Sequence, residues 1–130
     1  MYRTQFALKI CGWSSVLMGL IFMIIPEWYA DLEGASNQNI GWLRSLGAAL
    51  FAVNGVGALV AAKNPIQEKS LYDVVLLASV LETLALGWSV MAWEFSATAR
   101  VFITGPLVVA IIVSLSLYYF RPDSSVDFRP

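Results

Sequence analysis

Val101–Phe120 reads VFITGPLVVAIIVSLSLYYF, a run of 20 residues without a charged side chain. A helix rises about 1.5 Å per residue, so roughly 20 residues cover a hydrocarbon core about 30 Å thick. Three more long apolar runs, with at most two charged residues each, precede it: Phe6–Ile25, Ile40–Ala62 and Ser70–Trp93, joined by polar connections. Together they fill most of the 130 residues. A soluble chain of this size has no use for so many long apolar helices with so few polar faces. The reading is all-α: an integral membrane four-helix bundle, one domain over 1–130, ending in a polar tail at 121–130.

Composition agrees. Hydrophobic residues make up 58% of the chain and charged ones 13%, against about 25% charged in soluble domains. Net charge is −1, which gives no basic surface for nucleic acid. Histidine is absent from the sequence, which removes a common ligand of haem, zinc and copper. The single cysteine, Cys11, cannot close an internal disulfide and reads as a small buried residue of the first span. No metal site and no bound cofactor are expected. Arg3 and Lys9 ahead of an apolar stretch imitate a signal peptide, but the stretch exceeds an h-region and no small-x-small site follows. An uncleaved first helix is expected.

Charge distribution sets the expected orientation. With four spans, the N-terminus, the 63–73 loop and the tail share one side. Arg3, Lys9, Lys63, Lys69, Arg121 and Arg129 lie there, six of the eight basic residues. The positive-inside rule therefore puts both termini in the cytoplasm. Pro26 is expected to end the first helix, with Trp28, Tyr29 and Leu32 of the following segment lying at the interface. Asn64-Pro65 ends the second helix, and Gly105-Pro106 is expected to start or kink the fourth. Tyr2, Phe6, Trp28, Tyr29, Trp42, Trp88, Trp93, Tyr118 and Tyr119 cluster near predicted span ends, as an anchoring belt would. The tail has nothing of its own to bury and reads as free or ordered by a partner.

Within the spans, polar residues are few. Glu82 sits near the centre of the third run, where a carboxylate must face the bundle interior, pair, or carry a proton. Counting down antiparallel helices from one side places Asn54 of the second run at a similar depth. Asn54 belongs to a stripe of Arg44, Gly47, Phe51, Asn54, Ala58 and Ala61, flanked by Gly55 and Ala62. The third run offers Val75, Ala78, Ser79, Glu82, Ala85 and Ser89. Small residues at such spacing let helices approach and an asparagine can bond across. The second and third helices are expected to pack through these faces with Asn54 and Glu82 together, leaving the first and fourth for lipid or a partner. Asp73 reads as a solvated charge at a helix N-terminus. Arg44 and Arg100, at the outer ends of the second and fourth spans, snorkel to the interface or clamp a lipid phosphate or carboxylate, with Glu94 or the acidic 26–33 segment as partner.

Motifs for an enzyme are missing. No Gly-x-Gly-x-x-Gly, Walker lysine loop, Gly-x-Ser-x-Gly or His-Glu-x-x-His pattern occurs, and no serine has a histidine base. No catalytic residue is assigned. Small multidrug-resistance transporters keep their glutamate in the first helix, and the surroundings of Asn54 do not reproduce the fuller pattern of fluoride channels.

Gly19 through Pro26-Glu27-Trp28, then Leu43-Arg44-Ser45-Leu46-Gly47-Ala48, then Ala61-Ala62-Lys63-Asn64-Pro65, carry a resemblance. Over about half of its length the chain resembles the small four-helix DoxX-like and DUF4345-type bacterial membrane proteins. There a helix ending in Pro-Glu precedes an Arg-x-x-Gly entrance to the second helix. The resemblance implies the four-helix architecture and a bacterial inner (plasma) membrane, with a quinone-linked role for some DoxX-type subunits. The expected function is non-catalytic: a small accessory subunit packing with lipids against other membrane protein subunits of a larger complex. One alternative is a small oligomeric transporter or channel using Glu82 and Asn54. The other is a binder of quinone, carotenoid or another apolar ligand between helices. Co-purification with a large complex, proton-coupled flux and an absorption spectrum separate the three.

Overall fold

The structure is a computed structural model that describes residues 2–32, 40–94 and 97–122, with Thr98 described by its backbone alone. Every regular element among the described residues is a helix, with no strand. Helix α1 covers Tyr2–Ile24, short α2 covers Pro26–Leu32, α3 covers Gly41–Ala61, α4 covers Lys69–Met91 and α5 covers Ala97–Tyr119. Four of these, all but α2, are long and apolar enough to cross a membrane. Residues 123–130, which include most of the expected polar tail, lie outside the described part.

Local chemistry explains the ends. Pro26 opens α2, where its fixed φ suits the first helical position and its missing N–H costs nothing. The segment holding Trp28, Tyr29 and Leu32, expected at the interface, is a short helix tied to α1 by the Phe22 and Tyr29 rings at 4.5 Å. Asn64 Oδ1 accepts from the Gln67 N–H in the α3–α4 turn. Helix α4 ends at Met91, short of the expected Trp93, because Trp93 takes a left-handed φ of 60°. The Trp93 N–H then bonds to the Val90 carbonyl and the Glu94 N–H to the Ser89 carbonyl, which closes the helix end. Helix α5 neither starts nor stops at Gly105-Pro106. It begins at Ala97 and runs through Pro106, which removes one donor from an already established helix.

Helix α1 packs on α3, α4 packs on α5, and the pairs join through α3–α4 and α1–α5 contacts. One cluster gathers Leu8 and Cys11 of α1, Ala58 and Ala61 of α3, Tyr72 and Val75 of α4, and Leu117 of α5. A smaller one joins Phe22 to Leu43 and Leu50 toward the opposite end. Polar ties close the terminal end. The Thr4 hydroxyl donates to the Phe120 carbonyl at 2.7 Å, the Tyr72 hydroxyl donates to the Leu117 carbonyl, and Arg121 pairs with Asp73 at 2.9 Å. Asp73 is therefore ion-paired and not merely a solvated charge at a helix N-terminus.

The intimate helix pair differs from the expected one. Gly47 and Gly55 of the α3 stripe face α1: a Cβ built on Gly47 would stand 2.8 Å from the Gly19 carbonyl oxygen, and one on Gly55 2.9 Å from Val16 Cγ2. The α4 stripe is buried at Val75 and Ser79, whereas Ala85 is exposed. Glycines on both α1 and α3 permit backbone-to-backbone approach, and alanines on α4 do not permit as much. The surfaces left for lipid change accordingly. In the most apolar windows, 33% of α1 and 39% of α3 are buried, against 11% of α4 and 17% of α5. Helices α4 and α5 form the more open side, and α1 buries more of its length while Trp13 and Leu17 stay exposed.

Candidate functional site

The middle of α3 is not a regular α-helix. Leu50–Gly57 winds as a π-helix between α-helical Gly41–Ala49 and Ala58–Ala61. The segment holds Asn54, Gly55 and Gly57, all poor α-formers. Such wide turns loosen the regular carbonyl ladder and recur at functional sites. Here the segment carries Asn54, 4% exposed, to the face shared with α4.

Asn54 Nδ2 donates to Glu82 Oε2 at 2.9 Å. This contact joins the two intramembrane polar residues singled out in the sequence and crosses from α3 to α4. Around it stands a layer of polar groups from all four long helices. The Cys11 thiol of α1 lies 3.8 Å from the Asn54 backbone oxygen and 3.7 Å from the Ser79 hydroxyl of α4. The Thr83 hydroxyl donates to the Ser79 carbonyl at 2.8 Å and lies 2.9 Å from the Ser114 hydroxyl of α5. Ser79 and Ser114 are buried, and Glu82 is half-buried. Asn54 Oδ1 is buried and has no hydrogen-bond partner. Sequence spacing missed Cys11, Thr83 and Ser114, since each is individually unremarkable in an apolar helix.

The arginines expected near the outer ends take separate partners. Arg44 pairs with Glu27 of α2 at 3.0 Å, both side chains being more than half exposed. The carboxylate thus comes from the 26–33 segment. The Arg100 guanidinium lies over the Trp93 ring, 3.7 Å from its centroid, a cation–π arrangement within the α4–α5 turn. An open apolar cleft of about 590 Å³, sharing no lining residue with the polar layer, lies between α1 and α5 toward the termini. Tyr2, Phe6 and Ile10 line one wall and Ile112 and Phe120 the other, with Arg3 among the lining residues. Among the described residues no group of His, Cys, Asp or Glu is arranged to hold a metal ion.

Compared with models of known protein families, with curated proteins and with solved structures, the chain matches none. What can be said of class rests on the fold itself: an all-helical chain with four helices long and apolar enough to span a membrane.

Proposed function

We propose that the protein is a non-catalytic integral membrane protein of the bacterial inner membrane, acting as a small accessory subunit of a larger membrane complex. The observation that carries this reading is the open side of the bundle. Along α4, Val74, Leu77, Leu81, Leu84 and Trp88 are exposed, and along α5 so are Val101, Phe102, Val108, Ile112 and Leu115. Contiguous apolar surface of this extent needs lipid or another transmembrane segment over it. The polar groups of the layer support the same reading, because most are spent on one another in bonds that hold the helices in register. The basic residues on the terminal side favour cytoplasmic termini. Purification from native membranes in a mild detergent tests it. The reading expects the chain to travel with larger membrane proteins, trapped by crosslinkers placed on α4 and α5. A stable lone homo-oligomer counts against it.

The cleft between α1 and α5 favours a second reading, an apolar ligand held between helices. Its aromatic and aliphatic walls suit a lipid chain, a quinone or a carotenoid, with Arg3 able to meet an anionic or carbonyl head. Extraction of the purified protein with organic solvent, followed by mass spectrometry and an absorption spectrum, tests this. A stoichiometric ligand lost on Phe6→Ala supports it, and a bare protein with unspecific lipid refutes it.

A further inference from the structure

Two acceptors in the polar layer lack a donor. Asn54 Oδ1 is buried without one, and Glu82 bonds through Oε2 alone. The neighbouring hydroxyls and thiol do not supply it. Thr83 is committed to the Ser79 carbonyl and Ser114, Ser14 donates to the Cys11 carbonyl, and the Cys11 thiol meets Ser79 and the Asn54 backbone. No cation compensates at this depth among the contacts of the described residues. The ion pairs Arg44–Glu27 and Arg121–Asp73 stand at opposite ends of the bundle. An ionised Glu82 here would combine a charge in apolar surroundings with an unmade hydrogen bond beside it, both unfavourable.

One proton resolves both. A primary amide and a carboxylic acid pair edge to edge: the amide N–H donates to the acid carbonyl, and the acid O–H donates to the amide oxygen. The first of these bonds already exists, from Asn54 Nδ2 to Glu82 Oε2. A proton on Oε1 supplies the donor that Asn54 Oδ1 lacks, while Oε2 keeps the bond it already accepts from Nδ2. We propose that the Asn54–Glu82 pair is a proton-binding site within the membrane-spanning layer, closed when Glu82 carries the proton and open when it has lost it. Uptake consumes one proton and converts the carboxylate to the neutral acid, and release reverses this with no other bond changed. A membrane-soluble reagent can approach the site from the open side, because Glu82 is half-buried on α4, whose Leu77, Leu81 and Leu84 are exposed. Asn54 from α3 faces Glu82 across the 2.9 Å bond. The rest of the layer is Cys11 from α1, Ser79 and Thr83 of α4 itself, and Ser114 from α5, of which Cys11 is the other titratable group. The inference goes beyond the accessory role and is independent of which protein covers the open side.

Infrared difference spectroscopy on the full chain in lipid at neutral pH tests it, with Glu82→Gln as the reference because glutamine retains an amide edge for Asn54. The wild type is expected to show a hydrogen-bonded carboxylic acid band that shifts in heavy water and disappears in Glu82→Gln. A membrane-soluble carbodiimide, across whose C=N bond the O–H of a protonated carboxyl adds to give an O-acylisourea, is expected to label Glu82 in the wild type, and Asn54→Ala to weaken the hydrogen bonding of the acid band. A wild type showing only carboxylate at this position overturns the proposal. So does protection from the carbodiimide by sodium but not by choline, which would make a monovalent cation the ligand.

Discussion

Gly19 and Gly47 bring the backbones of α1 and α3 together: a Cβ on Gly19 would lie 2.8 Å from the Gly47 carbonyl oxygen. On Gly47 it would meet Phe22 Cβ at 2.7 Å. Neither neighbour is the far end of a flexible chain, so a side chain must push the helices apart. Gly47→Val is expected to destabilise the bundle by about 1–3 kcal/mol through overpacking. Gly105→Ala meets nothing within 4 Å and should stay within about 0.5 kcal/mol of the wild type. Thermal unfolding of both variants in the same detergent checks the pair. Equal effects would remove the close approach from the account.

The Tyr72 hydroxyl is expected to matter more than its position near a helix start implies. The residue is fully buried and its O–H donates to the Leu117 carbonyl, joining α4 to α5. Tyr72→Phe keeps the ring and leaves that carbonyl without its donor, at a cost of about 1 kcal/mol. Reversible unfolding by denaturant in micelles measures it, and a change in the opposite direction would show that the carbonyl finds another donor.

Ion pairs at the two ends should contribute little. Arg44 and Glu27 are 53% and 60% exposed in their side chains, so Arg44→Ala is expected to cost less than about 1 kcal/mol, and less again in high salt. At the terminal end, hydrogen bonding to Asp73 raises the pKa of Arg121 above the usual arginine value. A group raised in the folded state contributes fully below its unfolded value and loses that contribution only as pH rises through the folded one. The arginine side of this pair therefore adds no pH dependence through the neutral and mildly alkaline range. A comparison of wild type and Asp73→Asn across that range should give parallel stability curves on its alkaline side.

Cys11 offers a report on the core. It is 2% exposed and packed among Leu8, Ala58, Tyr72 and Leu117. A maleimide should label it slowly in the folded protein and rapidly after denaturation in sodium dodecyl sulfate. Rapid labelling under native conditions would mean that α1 is not held inside the bundle.

Much of this is legible in the sequence. Long apolar runs with at most two charged residues each are unambiguous in a short chain, so the span boundaries shift by only a few residues. Glu82 and Asn54 could be matched because polar residues at mid-depth are rare and antiparallel helices share a depth scale. The partner of the glycine stripe was not readable. Gly47 and Gly55 announce a close contact without saying which helix makes it, and the complementary Gly12 and Gly19 of α1 sit among residues that form no obvious stripe. The π segment depends on how Asn54, Gly55 and Gly57 settle between two neighbours, which no local rule captures. Trp93 in a left-handed conformation was equally hidden, since that position favours glycine and the stacking of Arg100 on the indole is a tertiary contact.

The direct bond between Asn54 and Glu82 is the centre of the account, and a double-mutant cycle tests it. Unfolding free energies would be measured for Asn54→Ala, Glu82→Ala and the double variant in one lipid or detergent system. The bond predicts a coupling of about 0.6–2 kcal/mol, the range of interhelical hydrogen bonds in membranes. Strict additivity, within about 0.3–0.5 kcal/mol, would contradict it.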